Sequence, residues 1–495
     1  MKNFKTLKCA VAFLSVALVS ACTGGNNGPD HTTNADIDSL IDEDGLLKQK
    51  TTITLWSTTG TNNQPYLNSY IEAFKEVQPN ITVESTIISG SYNDLKDATI
   101  KGFTSNSYPD MVACYPDHVA EYIEYDKAVE LEKYMYNDKV GWTDEEYNDI
   151  ITSYLDEGRE YIKAGTYSVP WCKSTEQMFY NADVLIGMDL SAYDKTINGG
   201  QPLNEAYLES LTWDELFNKL CPAIQAHDDS VDEAHKYVKT TGAYHAIFAY
   251  DSDDNLFITL AKQYGYAYTS VDTSTQKASV DFNNDGMKKL LKTFHNAAEK
   301  GYIISKGSAG GNYTNEYFNV QGTLFSVGST GGVKYQFSDT NPMNVGVARI
   351  PQADVNNPYT INQGPSACIL SHNDSNRELA TWLFYKFISN DDNSLDWSLG
   401  TGYSPIRQSS LDSEAYAVAS DWKGTPEKTL DRVMAYSKAK IGDVGTLFVS
   451  PAFKGSSTCR TQVGNLVTKA LTVSNDISEI DQWFEDAVAL CKTAL

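Results

Sequence analysis

Residues 51–88 read TTITLWSTTGTNNQPYLNSYIEAFKEVQPNITVESTII, and this stretch decides the fold because it joins two strand patterns through one helix pattern. Residues 51–56 are rich in β-forming side chains, and residues 81–88 repeat that character after Pro79. Pro65 opens a helix between them. The apolar residues that share one face of this helix are Leu67, Tyr70, Ile71, Phe74 and Val77.

The alternation of strands and helices continues beyond this stretch. Ser91 and Asp94 form an N-capping pattern for a helix, and residues 111–115 have the pattern of a third strand. This order predicts an α/β fold with a parallel sheet covered by helices. Ligands of such sheets bind beyond the carboxyl ends of the strands. The candidate contacts at those ends are Thr58, Thr59 and Tyr115.

Length and composition limit the class of protein. A chain of 495 residues is too long for one core, so at least two lobes are expected. Its 41% hydrophobic and 21% charged residues exclude a mostly disordered chain and a multi-span membrane protein. The formal charge of -25 argues against nucleic acid as a partner.

The N-terminus has the pattern of an export signal. Three lysines, Lys2, Lys5 and Lys8, precede an apolar run over residues 9–19 that is too short to span a bilayer. Residues 19–22, VSAC, resemble the lipobox of bacterial lipoproteins. That resemblance implies a lipoprotein signal peptide over residues 1–21 and attachment of palmitate-type acyl chains to Cys22. A plain secretory signal is the alternative.

Residues 22–50 predict a flexible tether, since glycine, asparagine and aspartate dominate them and apolar residues are few. A lipidated Cys22 would hold the protein at the extracytoplasmic face of the cell membrane, because two or more acyl chains give stable anchoring.

Four motifs resemble family 1 extracellular solute-binding proteins, the group that holds maltose- and glycerol-3-phosphate-binding proteins. They are YSVPWCKSTEQMFYN at 167–181, TWDEL at 212–216, FNVQGTLFSVGSTGG at 318–332 and TGYSPIR at 401–407. Each match is short, but their shared order covers nearly the whole chain after residue 51.

The resemblance implies a hinged, two-lobe periplasmic-binding-protein-like fold of type II, with the ligand in a cleft between the lobes. It places residues 51–172 and 326–364 in lobe 1, and residues 173–325 and 365–495 in lobe 2. The implied function is that of a monomeric, non-enzymatic binding subunit of an ABC importer, which closes on its ligand and delivers it to the permease.

The motifs also supply candidate ligand contacts. Trp171 lies at the first crossover and could stack on a sugar, with Ser174 bonding to a hydroxyl; a tryptophan packed in the hinge is the alternative. The glycine-rich turn after a strand could present backbone N–H groups, although a plain strand-to-helix turn has the same pattern. Its candidates are Ser329, Thr330 and Gly331, and Gly364 stands at the return crossing.

The 401–407 run adds two candidates, since it resembles the glycerol-3-phosphate branch. Tyr403 would line the pocket, and the Arg407 fork would bond phosphate or vicinal hydroxyls, unless Arg407 is a structural ion-pair partner. Ser252 and Asn255 are further candidates, with helix capping as the alternative. Tyr92 is a candidate from the other lobe.

The ligand predicted from these residues is a mono- or oligosaccharide or a polyol phosphate such as glycerol-3-phosphate. Sugar is preferred because aromatic residues are abundant, at 12% of the chain. Neither a cofactor nor a metal is expected. A secreted glycoside hydrolase and a carbohydrate-binding surface lipoprotein remain as alternatives.

Overall fold

Two β-sheets, each covered by its own helices, organise the chain. The computed structural model describes residues 30–58, 60, 63–240 and 244–495. Within these ranges the first sheet has five strands and the second has seven, and one two-stranded hairpin stands apart from both. Each large sheet and its helices form one lobe.

The strands follow one another as β1 Thr51–Ser57, β2 Ile81–Ile87, β3 Met111–Cys114, β4 Val169–Pro170, β5 Ser174–Asn181, β6 Phe248–Tyr250, β7 Thr269–Asp272, β8 Lys277–Val280, β9 Ile303–Ser305, β10 Phe325–Ser329, β11 Val345–Ala348, β12 Tyr359–Gln363, β13 Ser366–Ile369 and β14 Thr446–Phe448.

The α-helices are α1 Ala35–Asp38, α2 Gln64–Val77, α3 Tyr92–Ser105, α4 Pro116–Glu124, α5 Glu132–Met135, α6 Asp144–Asp149, α7 Thr152–Glu157, α8 Ala182–Leu185, α9 Glu205–Glu209, α10 Trp213–Glu215, α11 Cys221–Ser230, α12 Asp253–Tyr264, α13 Asp285–Glu299, α14 Thr314–Phe318, α15 Ser375–Ile388, α16 Asp391–Thr401, α17 Gln408–Leu411, α18 Glu414–Ala419, α19 Leu430–Ala439, α20 Ser456–Leu471 and α21 Ile480–Ala494. A 3-10 turn at Thr330–Gln336 follows β10. None of the described helices is long and apolar enough to cross a membrane.

The first lobe is built on the strands that the sequence predicted. β1 pairs in parallel with β2 and β3, and β13 and then β4 extend the sheet antiparallel. α2 buries Leu67 and Phe74 in the core, where the rings of Phe74 and Phe384 on α15 lie 5.2 Å apart. The predicted order of strands and helices over residues 51–115 is confirmed.

The second lobe is organised around β5, whose eight residues are all buried. β5 pairs antiparallel with β10, β11 and β12. β6 and β9 continue the sheet in parallel beyond β10, and β14 does so beyond β12. α12, α20 and α21 pack together on this lobe and bury Phe257, Cys459 and Phe484.

The chain crosses between the lobes three times, and its path differs from the predicted boundaries. Residues 171–173 lead from β4 to β5, Gly364 lies on the return from β12 to β13, and residues 412–429 lead back to α19. Residues 326–364, expected in lobe 1, supply strands to the second sheet. Residues 366–411, expected in lobe 2, complete the first lobe, because β13 pairs with β3 and α15 packs on β1.

The segment before β1 also differs from its prediction. Ile37, Ile41 and Leu47 are buried in the first core, and Thr32 forms a β-bridge with Asn137. From residue 30 onward the predicted tether is therefore a packed part of the first lobe, since three spaced apolar side chains suffice to anchor an otherwise acidic segment. Cys22 and the predicted signal peptide lie outside the described residues.

Candidate functional site

Two adjoining cavities lie between the lobes. The first chamber has a volume of about 490 Å³ and the second about 360 Å³. Ser91 and Tyr92, at the start of α3, line both chambers. Both volumes fall within the range of small-molecule sites in proteins.

The first chamber is lined by the beginnings of helices from both lobes. The first lobe contributes α3 and α4, where Pro116 at the first helical position starts α4 directly after Tyr115. The second lobe contributes the start of α12 and one face of α20. Most of the lining side chains are polar: Ser91, Asn93, Asp117, His118, Glu157, Asp251, Ser252, Asp253, Asp254, Asn255, Lys306, Asn362, Gln363, Ser450, Ser457, Arg460, Thr461, Asn465 and Thr468.

Arg460 connects the two lobes across the first chamber. Its Nε lies 3.3 Å from Asp117 Oδ2 of the first lobe, and its Nη2 lies 2.9 Å from Asp254 Oδ2 of the second. Nη2 also donates to the Asn255 side-chain oxygen. The hydroxyl of Ser457 adds a bond of 3.4 Å to Asn93 Oδ1 of the first lobe. Charge-assisted contacts of this kind favour a closed arrangement of the lobes.

A buried glutamate lies behind the wall of the first chamber. Glu176 Oε1 accepts from Gln363 Nε2 at 3.0 Å and from Asn255 Nδ2 at 3.3 Å, and the Tyr250 hydroxyl donates to Oε2. Burial raises the pKa of Glu176 to about 8, although its bonds to Tyr250 and Asn255 oppose that shift. Gln363 and Asn255 line the chamber, so Glu176 fixes the orientation of two side chains that a ligand would touch.

His118 is a buried neutral side chain at the first chamber. Burial lowers the pKa of its imidazole to about 3, and the nearby Lys96 and Arg460 charges act in the same direction. Its Nε2 lies 3.2 Å from Asn93 Oδ1, which can only accept, so Nε2 carries the proton. Nδ1 is then an acceptor.

The second chamber is rich in tyrosine. Tyr92, Tyr313, Tyr335 and Tyr403 line it together with Lys334. The Lys334 ammonium group donates to the Gly400 carbonyl oxygen at 2.8 Å, and burial lowers its pKa. Aromatic rings beside polar groups suit the apolar faces and hydroxyl rims of carbohydrates.

Seven predicted contacts come together around the two chambers. They are Tyr115, Ser252 and Asn255 in the first chamber, Thr58, Gly331 and Tyr403 in the second, and Tyr92 in both. A side chain at position 331 would need space that Tyr403 fills, since an added Cβ would lie 2.7 Å from its ring. Thr59 lies outside the described residues.

Five other predicted contacts do not line either chamber in the described part of the chain. Trp171 is buried and packs on Trp397, with ring centroids 5.9 Å apart. This arrangement agrees with the alternative of a tryptophan packed in the hinge. Ser174 and Ser329 face each other across the sheet, with their hydroxyls 3.2 Å apart. The Thr330 hydroxyl accepts from the Thr175 backbone. Gly364 lies at the hinge.

Arg407 is buried inside the first lobe and lines neither chamber. It is 1% exposed, and its Nε donates to the Ser389 carbonyl at 2.6 Å. Its Nη1 lies 3.1 Å from the Glu146 carbonyl oxygen and 3.4 Å from Asp149 Oδ2. These contacts hold α6, α15 and α17 together within the first lobe, which is the ion-pair alternative raised by the sequence.

The hinge contains a fully buried ion pair. Lys173, on the first crossing, donates to Glu157 of α7 and, at 3.2 Å, to the carbonyl oxygen of Gly364 on the return crossing. Gly364 has a φ of +85°, and a Cβ there would collide with the Cys172 carbonyl oxygen. Two neighbouring crossings are thereby fixed to each other.

Several residues of the first chamber escaped the sequence-based prediction. Arg460, His118 and Lys306 lie on elements whose contact with the cleft depends on long-range packing. Asp117 lies two residues after the predicted contact Tyr115, just beyond the carboxyl end of β3, where the geometry of parallel sheets places ligand contacts. Among the described residues, no group of three His, Cys, Asp or Glu side chains could hold a metal ion.

The fold and the cleft define a class of protein, a two-lobe binding protein that encloses a small molecule. The family model of bacterial extracellular solute-binding proteins matches residues 69–426. The chain therefore belongs to this family, and the resemblance inferred from its motifs is confirmed. None of the curated proteins matches the sequence.

Solved structures share the two-lobe periplasmic-binding-protein fold. UgpB from Mycobacterium tuberculosis in complex with glycerophosphocholine is 16% identical, with a TM-score of 0.66 over 90% of this chain and 98% of that one. Maltose-bound MalE3 from T. maritima is also 16% identical, with a TM-score of 0.63 over 90% and 100% of the two chains. The cyclic alpha-maltosyl-1,6-maltose binding protein from Arthrobacter globiformis is 18% identical, with a TM-score of 0.61 over 90% and 99%.

Proposed function

We propose that the protein captures a hydroxylated small molecule between its lobes, without catalysis, and presents it to an ABC permease. The observation that carries this proposal is a polar cavity lined by both lobes and crossed by the Arg460–Asp117 ion pair. A ligand that contacts both lobes would stabilise the closed state, because it binds that state better than the open one.

We favour a carbohydrate over a small polyol phosphate. The tyrosines of the second chamber offer flat surfaces for sugar rings, and the two chambers together are large for a three-carbon ligand. The argument for phosphate relied on Arg407, whose guanidinium is engaged inside the first lobe. Two of the solved structures named above contain maltose and glycerophosphocholine, so both ligand classes belong in a binding screen.

The ligand prediction can be checked by thermal shift. A screen of sugars, polyols and their phosphates should contain a compound that raises the free energy of unfolding by about 2.7 kcal/mol at 100 times its Kd. Small-angle scattering on the same complex should show a smaller radius of gyration than the free protein. Release of a hydrolysed product from any hit would contradict binding without catalysis.

We also propose that Cys22 carries the membrane anchor, on the strength of the VSAC motif. Cys22→Ser should move the protein from the membrane fraction to the soluble fraction, since the acyl chains would have no attachment site. Cys9→Ser, which lies in the apolar run of the signal, is the matched control and should stay with the membrane. Retention of both variants would contradict the anchor.

A further inference from the structure

The first chamber carries more negative than positive charge. Five carboxylate side chains of the described residues line it, namely Asp117, Glu157, Asp251, Asp253 and Asp254. The cationic side chains among the same lining residues are Arg460 and Lys306. A ligand entering this space would therefore meet a negative potential, and the low dielectric of a closed cleft strengthens such a field.

Both cations already have partners. Arg460 contacts two carboxylates, those of Asp117 and Asp254, with its single positive charge. The Lys306 ammonium group lies 3.4 Å from the centre of the Tyr313 ring, which holds it by a cation–π contact. Glu157 forms an ion pair with Lys173, which does not line the chamber. A phosphate group would have to compete for these cations.

Asp251 and Asp253 accept hydrogen bonds from neutral groups. Asp251 Oδ1 accepts from the Thr314 backbone at 3.1 Å, and the two carboxylate oxygens of Asp253 accept from Ser305, Thr468 and the Gly307 backbone at 2.5–2.9 Å. Burial raises the pKa of both carboxyls; the Asp253 charge adds to the shift of Asp251, which Lys306 opposes, and the Asp254 charge adds to the shift of Asp253. A cation placed beside them would be stabilised.

Two further acceptors at the first chamber lack a donor. His118 and Asn362 are 3% and 8% exposed, and both line the chamber. His118 Nδ1 and Asn362 Oδ1 have no hydrogen-bond partner among the described residues. Buried acceptors without donors cost free energy, so a ligand that reaches them with N–H or O–H groups would recover part of that cost. A fully ionised phosphate group offers none.

We propose that the first chamber selects a ligand that carries a protonated amine, of the amino-sugar class, and disfavours phosphorylated ligands. This proposal rests on the proposed function, because it assigns the chemical class of the ligand bound in the same cleft. The amine would lie at the start of α12, near Asp251 and Asp254, and the sugar rings would extend toward the tyrosines of the second chamber.

Matched saccharides test the charge preference directly. Calorimetry at about pH 6, where an amine is protonated, should compare mono- to tetrasaccharides of glucosamine with the N-acetylated and 6-phosphorylated forms of the same lengths. The best free-amine compound should bind at least about tenfold tighter than its N-acetylated counterpart. That advantage should shrink between about 0.05 M and about 0.5 M NaCl, because salt screens the attraction.

Two variants separate charge from folding. Asp251→Asn and Asp254→Asn should each lower the amine advantage, the ratio of free-amine to N-acetylated affinity, at least about threefold, and urea unfolding of each variant checks its folding independently. Asp486→Asn, on the exposed face of α21, is the matched control and should keep the advantage. Equal or tighter binding of the neutral or phosphorylated forms overturns the charge proposal and leaves the proposed function standing. Failure of every glucosamine saccharide to bind overturns the amine proposal, whereas the proposed function is overturned only if the wider screen of sugars, polyols and phosphates also yields no ligand.

Discussion

Lys173→Met should lower the free energy of unfolding by about 3–5 kcal/mol, because it leaves the buried Glu157 carboxylate without its cation. The side chains of Lys173 and Glu157 are 0% and 4% exposed. Without the lysine, Glu157 would keep only neutral donors, Asn362 at 3.2 Å and Ser366 at 3.3 Å. Methionine has a similar length and no charge, so lost packing contributes little.

Urea denaturation provides the measurement, and two further variants interpret it. Lys219→Met removes an exposed lysine that lies 3.7 Å from Glu215 and should cost less than about 1 kcal/mol. The double variant Lys173→Met with Glu157→Gln should recover most of the loss, since no charge then stays buried. A Lys173→Met cost equal to that of the exposed control would contradict the ion pair as a determinant of stability.

The Lys173–Glu157 ion pair lies where the chain crosses between the lobes, so it affects how the lobes can move. Lys173 and Gly364 belong to adjacent crossings, and a β-bridge from Lys173 to Ser404 draws a neighbouring segment of the first lobe to the same point. We therefore expect bending between the lobes to occur outside this junction. Gly364 was predicted as a ligand contact, but its φ of +85° and the crowding by Cys172 explain why glycine stands there.

The first α/β units could be predicted because their signals are local. The helix face that includes Leu67 and Phe74 repeats with helical spacing, and Pro65 and Pro79 mark its limits. The polar contacts at the carboxyl ends of β1 and β3 followed from the general geometry of parallel sheets. Thr58 and Tyr115 were found in this way, before any family resemblance was used.

The division of the chain between lobes could not be predicted from local patterns. β13 and α15 complete the first lobe through pairing with β3 and packing on β1, which lie far away in the sequence. A strand pattern shows that a strand forms but not which sheet it joins. Residues 366–411 were therefore assigned to the wrong lobe.

Residue type was a poor guide to role when burial was unknown. Arg407 lies directly before α17 and Arg460 lies in the first half of α20, and of these two arginines only Arg460 lines the first chamber. The partners of Arg407 are two carbonyl oxygens and the carboxylates of Asp149 and Asp391, all in its own lobe, which is a structural environment. Trp171 likewise packs with Trp397, and the family motif that contains it specifies the hinge more directly than the ligand.

Glu176→Gln should change how stability depends on pH, because burial holds the pKa of Glu176 at about 8 in the folded protein. An unfolded glutamate releases its proton at about pH 4.3. Between these values the folded state binds more protons than the unfolded state, so the free energy of unfolding falls as pH rises and levels off above about pH 8. This glutamate accordingly opposes folding at alkaline pH by on the order of a few kcal/mol.

Glutamine reproduces the protonated form of this side chain. Its oxygen can accept from Asn255 and Gln363 as Oε1 does. The Tyr250 hydroxyl, which donates to Oε2 in the wild type, would instead accept from the glutamine amide after rotation of its O–H bond. The variant should match the wild type near pH 5 and exceed it by a few kcal/mol near pH 9, measured by urea unfolding at both values. Glu485→Gln, an exposed control on α21, should follow the wild type throughout. If Glu176→Gln also followed the wild-type curve, the glutamate would be ionised in the folded protein, and the wall of the first chamber would carry one additional negative charge.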